Sequence, residues 1–221
     1  MKRFACVAAV CLVALLGVGV RAAHAQATTG AADPKMYAEF NFGPTLGHKS
    51  DWFVGGELGY HLTPGLDLII DISHMNNVGT TELDNRATTI ANYLGGTSST
   101  AYKANTFAFG ARYRIPVTSK ISPYVLAAVG VAHVTTEVAF TVNGTTIDPG
   151  TRPDIQLGAD LSGSTNRTLF VIGFGANMPF KERFFADLGY RYGQIFSKTL
   201  DNESLESIGT QRIVLGVGVR F

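Results

Sequence analysis

Ser73-His74 is the nearest approach in this sequence to a nucleophile beside its base. An activated hydroxyl needs the imidazole on its own side of the chain, at i and i+2 in an extended segment, with a carboxylate to orient the ring. Adjacent strand residues point to opposite faces. The pair is therefore expected to divide, Ser73 lining an interior and His74 sitting at an upper boundary, with no joint chemistry. His48 and His133 stand singly, with neither a second histidine nor a carboxylate at ligand spacing. His61 lies beside a turn and reads as a rim residue. These residues predict no catalytic site, no metal and no cofactor.

Charge carries more information. Glu39, Glu57, Asp67, Asp71 and Asp187 fall on one side of alternating segments, and so do Arg112, Arg114, Arg191, Arg212 and Arg220. Every basic member is arginine, whose planar fork fits carboxylates better than lysine does. Five of each sign predict a salt-bridged interior instead of an open pore. Glycines between them are expected to make room for the long arginines. Tyr60, Tyr113, Tyr190 and Tyr192 fall near segment ends on the other face. A girdle at a lipid–water boundary explains them with less than a cofactor-stacking role would.

The elements that must position these residues are strands. In Gln211 to Phe221 the odd positions Ile213, Leu215, Val217, Val219 and Phe221 are apolar, and Arg212, Gly216, Gly218 and Arg220 alternate with them. A soluble barrel would turn the apolar stripe inward, whereas a transmembrane barrel turns it toward lipid around a polar lumen. The same inverted pattern predicts strands near 36–46, 53–62, 66–76, 103–115, 122–137, 168–178, 184–195 and 211–221. The fifth is apolar on both faces, and Val125, Ala127, Val129 and Val131 are assigned outward. Thr63-Pro64-Gly65, 116–121 and 179–183 are tight connections, whereas 47–52, 77–102, 138–167 and 196–210 are mostly longer. Loop lengths segregated by rim suit an outer-membrane barrel.

Residues 1–25 differ from the rest. Lys2 and Arg3 precede the uncharged run Phe4 to Val20, and Ala23-His24-Ala25 offers small residues for cleavage. This predicts a cleavable signal peptide over 1–25. A lead-in over 26–35 and a barrel over 36–221 would follow it. Cys6 and Cys11 both lie in the leader, so the mature chain would hold no disulfide or thiolate site. Losing Lys2, Arg3 and Arg21 leaves fifteen basic against seventeen acidic residues, and no patch is basic enough for nucleic acid.

Within the long connections, Leu83 to Leu94 has a helical character, and Phe140 to Ile147 holds an Asn143-Gly144 turn between β-formers. Asp201, Glu203 and Glu206 form an acidic group that reads as a solvated loop.

The chain resembles the OmpA-type and opacity-protein family of eight-stranded outer-membrane barrels. The resemblance is carried by Leu58-Gly59-Tyr60, Phe107 to Tyr113, Pro123-Tyr124 followed by Val129-Gly130-Val131, Gly173-Phe174-Gly175, and Asp187 to Tyr192. It covers roughly 36–221. The ending Gly216-x-x-Val219-x-Phe221 is similar to the family's C-terminal signal for the barrel-assembly machinery. Leu215 departs from the polar residue usual before the glycine. The resemblance implies an all-β, eight-stranded antiparallel up-and-down transmembrane barrel in a Gram-negative outer membrane. Its partners would be outer-membrane lipids, the assembly machinery through Phe221, and an extracellular ligand or host surface through 77–102 and 138–167. The leading functional expectation is a non-enzymatic structural or surface-interaction protein. A narrow channel for small or apolar solutes, a lipid A-modifying enzyme and a soluble periplasmic lipocalin-like binder are the alternatives.

Overall fold

The computed structural model describes residues 34–47, 49–117, 120–147, 163–200 and 203–221. The leader, most of the lead-in, His48 and Asp201 lie outside these residues.

Alternation builds eight long strands: β1 (Met36–Leu46), β2 (Asp51–Thr63), β3 (Leu66–Met75), β4 (Thr97–Arg114), β5 (Ser122–Val142), β7 (Gly163–Pro179), β8 (Phe184–Ile195) and β11 (Ile208–Arg220). Each pairs antiparallel with its neighbours in sequence, and β1 pairs with β11 to close the sheet. Short strands β6 (Thr145–Ile147), β9 (Lys198–Leu200) and β10 (Glu203–Leu205) decorate the long-loop rim. In one such hairpin Asn143 (φ 51°) and Gly144 (φ 78°) take the left-handed conformations of a two-residue turn between β5 and β6.

The registers fix the dimensions. Stepping around the sheet from Met36 passes Tyr60, Leu68, Ala111, Ala127, Ile172, Tyr192 and Gln211 and returns to Leu46, a stagger of ten residues. With strands about 4.8 Å apart and about 3.3 Å per residue, that stagger tilts the strands by about 40° and sets a backbone radius of about 8 Å. A cylinder that narrow is filled by its own side chains.

Which face is buried is the deciding observation. Phe40, Phe109, Val129, Phe174, Leu188 and Val217 are exposed on the outer wall, whereas Arg112, Arg191 and Arg212 are at most 2% exposed. Val125, Val129 and Val131 face outward, and Tyr124, Leu126 and Ala128 face inward.

The strands run further than the alternation predicts at the long-loop rim. They begin at 97 instead of 103 and at 163 instead of 168, and β5 ends at 142 instead of 137. Thr97-Ser98-Ser99-Thr100 is polar on both faces, so pairing continues there without a period-two signal. Helix α1 (Thr81–Tyr93) lies at the same rim, its N-terminus capped by Thr80, whose hydroxyl accepts from the Leu83 amide at 3.3 Å. Leu83, Ala87 and Ala91, four residues apart, form its buried stripe. Leu83 joins Met75, Val78, Tyr102, Val134 and Ile208 in an apolar cluster.

Candidate functional site

The inward positions of β1, β2, β3, β4, β8 and β11 converge on a charged cluster. Glu57 is its hub. Its Oε1 lies 2.7 Å from Arg112 Nη2 and accepts from the Tyr37 hydroxyl at 2.6 Å, and its Oε2 lies 2.9 Å from Arg191 Nη2. Arg191 also bonds Asp71 through Nη1. Asp71 Oδ1 is 3.6 Å from Arg212 Nη2, and Arg212 Nη1 donates to Ser73 Oγ at 2.6 Å. Ser73 Oγ is 2.7 Å from Thr106 Oγ1. Arg112 Nη1 reaches Glu39 at 3.6 Å and Asp187 at 3.8 Å. Asp187 accepts from the Tyr124 hydroxyl at 2.8 Å and from the Asn177 amide.

Three guanidiniums thus face the four carboxylates of Glu39, Glu57, Asp71 and Asp187. The Tyr37 hydroxyl also donates to Glu57, and the Tyr124 hydroxyl and Asn177 amide donate to Asp187. The Arg112 guanidinium also lies 4.0 Å from the centre of the Tyr124 ring, and that of Arg212 lies 5.2 Å from the Phe53 ring.

A second, smaller cluster closes the short-turn rim. Asp67 Oδ1 takes Arg114 Nη2 at 3.1 Å and His61 Nδ1 at 2.6 Å. Arg220 joins neither cluster: its guanidinium rests 5.0 Å from the centre of the Phe185 ring. Gly216 faces the interior, where a Cβ would stand 2.4 Å from Glu39 Oε1. Val219 lies on the outer wall, and Phe221 is exposed beside it, its backbone amide donating to Met36 O at 2.9 Å.

The interior glycines differ from expectation. They make room mainly for rings: a Cβ at Gly59 would lie 2.0 Å from the Tyr37 ring, at Gly175 2.5 Å from the Tyr124 hydroxyl, and at Gly218 2.1 Å from the Phe185 ring. A Cβ at Gly173 would meet an arginine stem, Arg191 Cγ at 3.1 Å, beside the Tyr190 carbonyl at 2.8 Å. A rigid ring needs cleared space, whereas an arginine stem threads around obstacles. Tyr124 and Arg167 are among the interior polar residues that the alternation missed, with Tyr102, Thr45 and Thr210. Tyr124 sits on a strand apolar on both faces. Arg167 precedes the predicted strand start, and it donates to Phe196 O at 2.9 Å and to Glu206 O.

Ser73 and His74 do divide. Ser73 is buried, and His74 points outward with Nδ1 2.7 Å from Asn105 Oδ1. His133 likewise pairs outward with Asn166 Oδ1 at 2.7 Å. Among the described residues no cluster of three histidine, cysteine or carboxylate side chains is placed to hold a metal.

A closed antiparallel sheet of eight long strands, apolar on its outer wall and ion-paired within, defines a transmembrane β-barrel. The outer membrane protein beta-barrel domain family matches residues 10–221, and the chain belongs to that family, which is one of the Gram-negative outer membrane. The structure of Neisserial surface protein A is similar over 86% of this chain and 99% of that one, at 14% identity and a TM-score of 0.55. The N-terminal barrel of Pseudomonas aeruginosa OprF matches over 86% and 100% at 19% identity, TM-score 0.47. Ail, the attachment invasion locus protein of Yersinia pestis, matches over 86% and 100% at 15% identity, TM-score 0.46. At such identity the first of these likenesses concerns the fold alone. No curated protein matches the chain.

Proposed function

We propose that the protein is a non-enzymatic barrel of the outer membrane, anchored by its outer wall, closed to bulk flow, and presenting its long-loop rim to the exterior. The observation that carries this reading is the chain Arg112–Glu57–Arg191–Asp71–Arg212, which crosses the interior from strand to strand. In planar bilayers the purified protein is expected to give no channel events at moderate voltage. Steady unitary conductance would favour a narrow channel instead. Unchanged lipid A acylation on expression is expected as well, and altered acylation would overturn the non-enzymatic reading. Ligand or host contact is assigned to α1 and the β5–β6 hairpin, which stand on the long-loop rim.

In this reading residues 1–25 direct export and are removed, and Gly216, Val219 and Phe221 form the signal read during assembly. Gly216 has the added packing role already described. Phe221→Ser keeps the backbone bonds to Met36 and removes only the exposed ring. Outer-membrane levels in cells are expected to fall at least fivefold, while refolding into vesicles in vitro stays within twofold. Equal loss in both assays would make Phe221 a folding residue instead of an assembly signal.

A further inference from the structure

The outer wall is not uniform. A groove of about 790 Å³ opens over β1, β2, β3 and β11. Its floor is Gly56, whose register neighbours are Phe40 on β1 and Ile72 on β3. Leu58 walls it below, and Ala38 extends the floor toward β11. Gly56 and Ala38 thus leave the deepest part of an apolar groove between large side chains.

A second observation lies at the upper end of this groove. His74, Asn105, His133 and Asn166 are successive register partners on four adjacent strands, all on the outer wall. They form hydrogen-bonded His–Asn pairs. One level nearer the short turns the wall is apolar on β3, β4 and β5, with Ile72, Phe107 and Val131 in register, and carries Thr168 on β7. One level nearer the long loops it is polar, with Lys103, Thr135 and Ser164. The row therefore marks the boundary between acyl chains and headgroups, and the groove meets it at His74 and Asn105.

We propose that this groove is a specific lipid site, taking one acyl chain of a glycerophospholipid over Gly56 with its polar headgroup on the His74–Asn105 pair. Polar above and apolar below is the order of a single amphiphile. The core of a protein–protein interface would be fully desolvated and would gain nothing from a His–Asn pair at headgroup level. The proposal rests on the membrane reading of the barrel and deepens it.

The test uses the full chain folded in phosphatidylcholine vesicles doped with phosphatidylethanolamine that carries a diazirine on one acyl chain. After illumination, adducts on Phe40, Leu58 and Ile72 are expected to exceed those on the comparably exposed Val129 and Phe174 at least fivefold. Gly56→Leu fills the groove from outside, since its Cβ meets only the Glu39 carbonyl, at 3.2 Å. It is expected to abolish the excess. The double variant His74→Ala/Asn105→Ala is expected to lower it severalfold while leaving the gel shift of the folded barrel intact. Equal labelling around the barrel, or protein–protein adducts at Phe40, would overturn the site and leave the membrane reading standing. No labelling anywhere would overturn both.

Discussion

Replacing Glu57 with alanine is expected to cost about 3–5 kcal/mol of unfolding free energy in phospholipid vesicles, the range for breaking a buried ion pair from one side. Glu57 accepts from Arg191 and Tyr37 and is ion-paired with Arg112, all buried. Its loss leaves Arg191 with Asp71 alone, Arg112 with only its longer contacts to Glu39 and Asp187, and the Tyr37 hydroxyl without its acceptor. The exposed pair Lys103–Glu137, 3.5 Å apart, gives the contrast. Glu137→Ala there is expected to change stability by about 0.5 kcal/mol or less. Urea titration of both variants checks the difference. Near-equal losses would mean that solvent reaches the interior freely, which would also reopen the channel reading.

The other large effect belongs to the outer wall. Val129 is 56% exposed and lies in register with Phe109 and Phe170, well below the His–Asn row. Val129→Arg places a charge among acyl chains and is expected to destabilise the folded barrel by about 2–4 kcal/mol. Ser164→Arg, one level above that row, is expected to cost about 0–1 kcal/mol. In a water-soluble barrel the exposed Val129 would accept arginine at almost no cost. Vesicle refolding of the two variants separates the cases.

How much of this was legible in the sequence depends on how many constraints each residue carries. Gln211 to Phe221 was readable because each of its faces meets a different solvent, lipid or lumen, and the alternation records both. Val125 to Val131 was not readable from alternation, since Leu126 and Ala128 pack inside a closed barrel while Val129 faces lipid. Strand ends beyond the membrane were invisible for a related reason: Thr97 to Thr100 is polar on both faces. Inward direction was legible for Arg112 and Glu57, but their partnership was not. It depends on the ten-residue stagger, which brings β2, β3, β4 and β8 to one level and is set by all eight pairings together. Arg220 shows the limit of parity reasoning. It is half-buried with its guanidinium over the Phe185 ring, while Asp67 is held by Arg114 and His61.

Accessibility along β11 and β8 tests the central arrangement most directly. Single cysteines at Leu215, Val217 and Leu188, and at the inward Val214, would be introduced with Cys6 and Cys11 replaced by alanine and spin-labelled in vesicles. The account predicts that labels at 215, 217 and 188 collide with dissolved oxygen and not with a water-soluble nickel chelate, while the label at 214 meets neither. Strong collision of the 215, 217 and 188 labels with the chelate would contradict it.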